Sequence, residues 1–287
     1  MTEPFVDSHH HLWDMDQGHY HWLEEEEPEE TAVVGDYSAI RRNYLIGDLL
    51  ADFEGSSVIK SVHVQAEYGG DDQVWETAWL QQVADAHGYP HAIVAKTDLA
   101  SEGARAELER HGEHANMRGI RNFVQGEDLL TPEFRRGLQA LSDLGFSYDL
   151  NSTWEGMGEA RQAAELFGDL QFILGHCGVP MERTPEYFDA WRAGMATLAG
   201  APNVACKISG LGMTDHSWTV ESIRPWVLEC IEVFGVERCM FGSNWPVDSL
   251  YSSYRAVVEA YREITADFSA DERSALFRRN AEHYYKV

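Results

Sequence analysis

Eight short apolar runs recur along the chain, each followed by a longer amphipathic stretch, and this alternation limits the fold more than any other feature. The runs are PFVDSHHH, VIKSVHVQAE, HAIVAKTDL, RGIRNFV, GFSYDLN, LQFILGHCG, NVACKISGL and RCMFGSNWPV. Between them lie segments with helical spacing of apolar residues. QVWETAWLQQVADAHG, for example, carries Val74, Ala78, Leu80 and Val83 and closes on Gly88. PEFRRGLQALSDLG, MGEARQAAELFG and SIRPWVLECIEVFG likewise predict helices ending at Gly. Connections of this length suit crossovers between parallel strands. Eight such units predict a single-domain α/β fold, a (β/α)8 TIM barrel over residues 1–287, with a doubly wound sheet as the alternative. Residues 14–57 make a long first connection, expected to lie over the barrel mouth, and ADERSALFRRNAEHYYKV reads as a closing helix.

In a barrel of this kind the reaction site is built from residues at the C-terminal ends of the strands. His9, His11, Gln65, Glu67, Arg121, Tyr148, Asp149, His176, Lys207 and Asn244 all fall at or near such ends. His9 and His11 are two apart, so a strand points both to one face and turns His10 to the other. Two imidazoles are too few for a metal, and His176 supplies a third nitrogen. The set His9, His11 and His176 suits one divalent metal, zinc or manganese, or carbonyl polarisation without a metal. Arg121 suits capture of a substrate carboxylate, and Lys207 suits either substrate contact or a buried pair with Glu67 or Asp149. Gln65 and Tyr148 are candidates for substrate contact, and Trp245, with Trp13 and Trp22, for an aromatic wall. Cys177 follows His176, and strand alternation turns it away from the site.

Composition narrows the function classes. The formal net charge is −26, and only four of the 22 basic residues are lysine. Nucleic acid and anionic membrane surfaces would be repelled by such a field, leaving a small-molecule substrate as the expected partner, with homo-oligomerisation open. The run EEEEPEE at Glu24 to Glu30 reads as a solvated acidic face. The chain opens without a basic n-region or long apolar run, and its four cysteines lack a paired metal spacing, so a reduced, cytoplasmic protein is expected. No P-loop and no G-x-G-x-x-G after a strand is present.

DSHHHLWD with HYHWL, then GHCGVP, CKISGL, CMFGSNWPVDSL and the terminal FRRNAEHYY, resemble the lactonase group of the amidohydrolase superfamily. That group includes sugar-acid lactonases such as L-fuconolactonase and a pyrone-dicarboxylate lactonase. The resemblance runs almost end to end. It implies a barrel, a hydrolase, and His9, His11 and His176 in the reacting centre. Lactonases of the group usually carry G-S-D-W-P on the last strand, with the aspartate as general base. Here that residue is Asn244, whose amide accepts no proton at neutral pH. Three assignments remain open: Asn244 orients water while His176 or another histidine takes the proton; Asp248 serves as base; or a metal-bound hydroxide attacks. The leading expectation is hydrolysis of a lactone of a sugar acid or related small carboxylic acid, in carbohydrate metabolism. Decarboxylation, lactone isomerisation and metabolite binding without catalysis are the alternatives.

Overall fold

All eight apolar runs become strands because each is buried along most of its length and bounded by turn-forming residues. In the computed structural model, which describes residues 3–24 and 33–287, they are β1 (Phe5–His10), β2 (Val58–Val64), β3 (Ala92–Ala95), β4 (Met117–Arg121), β5 (Ser147–Leu150), β6 (Phe172–Leu174), β7 (Val204–Ile208) and β8 (Cys239–Phe241). Neighbours pair in parallel in sequence order. The ring closes where His10 bridges Trp245, with Asn244 N–H donating to His9 O at 2.8 Å and His11 N–H to Trp245 O at 2.7 Å. A (β/α)8 barrel results, and the doubly wound alternative is set aside. Gly242 permits the closure: a Cβ there would lie 2.9 Å from His9 Cβ.

Between β1 and β2 lie α1 (His21–Glu24) and α2 (Ile46–Asp52). Each later strand pair is joined by one main crossover helix: α3 (Val74–His87), α4 (Ala104–His111), α5 (Pro132–Leu144), α6 (Met157–Leu166), α7 (Pro185–Ala199) and α8 (Val220–Phe234), with α9 (Tyr254–Ile264) following β8. Thr131 and Thr184 cap α5 and α7 by accepting from backbone N–H groups three residues on, and a proline opens each helix. Gly88 and Gly145 end α3 and α5 in the left-handed conformation. The helix expected to close on Gly168 stops instead at Leu166, with Phe167 as its cap. The closing segment is two short helices, α10 (Ala270–Ser274) and α11 (Asn280–Tyr285), joined by a π-turn over Ala275–Arg279.

The larger apolar cluster lies between the strands and the outer helices. A smaller one joins Val6, Val62, Val64, Val94, Ile173, Ala205 and Met240 from six strands' inward faces with Tyr285 of α11. This fills the lower barrel and leaves the strand C-termini to build a site above it. The acidic run lies outside the described residues beyond Glu24. Among the described residues no helix is long and apolar enough to cross a membrane.

Candidate active site

Asp7, in the middle of β1, anchors the two elements that frame the site. Its carboxylate accepts from Ser243 N–H at 2.8 Å, Ser243 Oγ at 2.6 Å and Tyr254 OH at 2.9 Å. Burial raises its pKa to about 6, against the pull of those donors. This clamp holds the segment after β8 against β1, so that Asn244 and the first histidines share one end of the barrel.

His9 and His11 do project together, their Nε2 atoms 3.3 Å apart, and the His9 and His176 rings lie 4.4 Å apart at their centroids. His11 Nδ1–H donates to Val64 O at 2.7 Å, which leaves its Nε2 lone pair free. As a hydrogen bond, the 3.3 Å contact then requires His9 Nε2–H as donor and leaves His9 Nδ1 as an acceptor, facing Lys207 Nζ at 3.5 Å. Lys207 is fully buried and finds its counter-charge in Asp149 at 2.7 Å, whose carboxylate also accepts from Tyr285 OH. His176 Nδ1 lies 2.9 Å from Ser209 Oγ. A Cβ at Gly210, whose φ is +66, would sit 2.6 Å from that nitrogen, so the histidine's seat depends on a residue without one.

Burial depresses the pKa of all three imidazoles well below 6.5, and the Arg121 and Lys207 cations lower His9 and His176 further, with Arg121 doing the same to His11. All three are neutral at pH 7. Neutral imidazoles offer lone pairs to a proton or a cation.

A cavity of about 520 Å³ opens above them, lined by His11, His176, Arg121 and Asn244 at its polar end. Arg121 is buried, donates through Nη2 to Gln65 O at 2.7 Å, and leaves Nε without a partner. Asn244 is buried, and its Nδ2 is also without a partner. Both residues line the cavity, and the Asn244 side chain also faces Asp248, whose carboxyl it pulls down against burial. Glu67, Asn244, His176 and Val179 line the same cavity and all have φ between +44 and +59, the left-handed region. Backbone strain concentrated this way is characteristic of functional sites.

Other candidate residues sit differently. His9 lies one layer below the cavity lining. Gln65 does not reach the cavity: its amide bridges Glu67, accepting from Glu67 N–H at 2.6 Å. Lys207 is sealed beneath the histidines by its pairing with Asp149. Tyr148 points to the helix layer between Phe134 and Phe172 and donates to Asn122 Oδ1 at 2.7 Å. Trp245 donates to Asp52 Oδ2 at 2.7 Å and fixes the first connection, as Trp13 does through Arg42 O. Of the three tryptophans only Trp22 lines the cavity. Asp248 is buried off the lining, with Oδ1 unpartnered, and burial raises its pKa to about 8. Cys177 is buried, its carbonyl accepting from Trp191 Nε1. His10 faces away, as alternation requires, and meets Ser61 Oγ at 2.9 Å.

Glu67, a strand-end residue and one of the two counter-charges offered for Lys207, pairs with Lys96 instead. It is the one carboxylate lining this cavity among the described residues, paired with Lys96 at 2.8 Å. The hydrogen bond and charge of Lys96, with help from Gln65, outweigh burial and hold its pKa down. Its strand-end position after VQA was the available signal.

Among the described residues no three His, Cys, Asp or Glu side chains converge as a metal-ligand group. The spacing of the His9 and His11 Nε2 atoms suits one cation, since two nitrogens on a tetrahedral zinc lie roughly 3.4 Å apart, once the His9 proton shifts from Nε2 to Nδ1. Its fit is thus a two-nitrogen seat with His176 close by.

Comparison with known proteins agrees with this architecture. An uncharacterized protein of Sinorhizobium fredii is 45% identical, the alignment covering 98% of each chain. An L-fucono-1,5-lactonase of Burkholderia multivorans is 30% identical, covering 98% of this chain and 96% of its own. The crystal structure of a Burkholderia multivorans amidohydrolase with bound zinc superposes with a TM-score of 0.84 at 26% identity over 99% of both chains. The Amidohydrolase family profile matches residues 6–287. The chain therefore belongs to the Amidohydrolase family of hydrolytic enzymes.

Proposed function

We propose that this enzyme opens the ring of a lactone of a small carboxylic acid by attack of water. The observation that carries the reading is the meeting of neutral buried imidazoles with an unpartnered guanidinium nitrogen and an unpartnered amide at the polar end of one cavity. The lactonase among its relatives supports the same reaction class.

In this reading the lactone carbonyl oxygen points toward Arg121 and the Asn244 Nδ2 donor. Water attacks the carbonyl carbon, and its proton passes to His176, whose Nδ1 is tied to Ser209. Negative charge on the tetrahedral oxygen is balanced by Arg121. The ring C–O bond then breaks, the leaving oxygen takes a proton back from the imidazole, and the new carboxylic acid releases its proton to water, leaving a carboxylate that faces Arg121. His9 and His11 would hold a divalent cation if one is bound, and its contribution there would be Lewis-acid polarisation of the carbonyl. Lys207 and Asp149 fix the His9 ring from below. Four unbridged cysteines, all buried, support a reducing, cytoplasmic setting.

A pH-indicator assay over a panel of lactones tests the proposal. Turnover should fall by about a hundredfold or more in His176→Asn, the range for loss of a proton-transfer group. Absence of acid release across the panel refutes it. Carbon dioxide release from carboxylated substrates, or ring isomers without net acid, would identify the competing chemistries instead.

A further inference from the structure

Away from the histidines and Arg121, and apart from one polar side, the described wall of the cavity is mostly hydrocarbon. Trp22 comes from the first connection, Phe123 from the loop after β4, Val179 and Met181 from the loop after β6, Met213 from that after β7, and Val247 from that after β8. Trp22 Nε1 donates to Ala66 O at 2.9 Å, so the indole offers its carbon face. The uncharged polar residues gather on one side as Gln125, Asn151 and Thr153, and Gln125 Oε1 there accepts from Thr153 N–H. Glu67 is held by Lys96. Phe123, 53% exposed, presents a large apolar ring at the mouth.

We infer that the lactone this cavity takes carries a hydrocarbon body, an alkyl or aryl substituent lying against Trp22, Phe123, Met181 and Met213, with only its ester group at the histidines and Arg121. The inference rests on the lactone-opening reading of the same site and narrows its substrate class away from polyhydroxylated sugar lactones. A sugar ring bears a hydroxyl on nearly every carbon, and each one pressed against carbon without a partner weakens binding by roughly tenfold. Each methylene that replaces one against the same wall strengthens binding by up to about fourfold. A chain of four or five carbons, incompletely buried at an open mouth at roughly threefold each, should therefore favour the alkyl substrate by about a hundredfold.

The test compares δ-decanolactone with gluconolactone, both six-membered, by kcat/KM, and their ring-opened acids, hydroxydecanoate and gluconate, by titration calorimetry. The expected result is a preference of about a hundredfold for the alkyl member in both measurements. Met213→Gln should reduce that preference by about tenfold, and Phe123→Ser, at an exposed site that leaves the core untouched, should reduce it severalfold. Equal handling of both members, a preference for the sugar, or binding of neither acid with turnover of neither lactone overturns the inference. Tight hydroxydecanoate binding without hydrolysis of either lactone would uphold the apolar occupant and overturn the lactone-opening reading.

Discussion

Asp248 offers a decisive perturbation, because its carboxyl is buried, lacks a partner at Oδ1, and has its pKa raised from 3.8 to about 8. Below pH 3.8 it is protonated whether the chain is folded or not. Between 3.8 and about 8 only the folded chain keeps the proton, so the stability it contributes is lost as pH rises through this window. The slope is roughly 1.4 kcal/mol per pH unit. Above the folded pKa both states are ionised and the slope ends. Asp248→Asn keeps the shape and removes the titration. Its stability relative to the parent should therefore climb by about 2 kcal/mol from pH 6 to pH 8. Urea unfolding followed by tryptophan fluorescence at pH 6, 7, 8 and 9 measures this directly. A difference that stays constant across the range refutes the reasoning. Because Asp248 does not line the cavity, the variant should keep lactone turnover within about threefold of the parent; a collapse of activity in a stable protein would make it the general base after all.

Lys207→Met strands the Asp149 carboxylate in the barrel and should destabilise by about 3–5 kcal/mol in urea unfolding, while Lys207→Met with Asp149→Leu should recover most of the loss. If the double variant is as unstable as the single, the buried pair is not the cause. His10 has its pKa depressed from 6.5 to about 3 by burial, so its contribution is lost as pH falls below 6.5. His10→Gln should gain on the parent by roughly 1.4 kcal/mol per pH unit on acidification below 6.5, and parallel stability profiles would contradict this. Asn244→Asp places a carboxylate in the cavity that His176 also lines and should change the pH–rate profile of lactone opening; an unchanged profile removes position 244 from proton transfer.

The barrel was legible because every strand is a short buried run bounded by turn residues, and a strand so placed needs no long-range information to be recognised. The imidazoles were legible because a strand end fixes which way a side chain points. The same alternation, carried one step further, would have placed Tyr148 correctly. Asp149 turns inward to meet Lys207, so its neighbour must turn outward into the helix layer, where Phe134 and Phe172 receive it. Trp245 and Gln65 were harder, since their partners, Asp52 in the first connection and Glu67 past a left-handed turn, are set by loop paths that no periodicity encodes. The apolar walls escaped for that reason too: Phe123, Met181 and Met213 stand on loops, where a single apolar residue carries no pattern. His176 lies beyond the end of β6 in a left-handed turn, so its arrival at the cavity depends on that turn and on Gly210 making room.

The left-handed backbone at position 244, with φ at +58, has an evolutionary corollary. Few side chains tolerate such a conformation, and Asn, Asp and Gly are foremost among them. The scaffold therefore favours at this place a small vocabulary in which an acid and its amide are neighbours. Reactivity can diversify there by exchanging a single oxygen for a nitrogen, with no loop rebuilt and no strand shifted, so descendants of one barrel can part ways chemically while remaining superimposable.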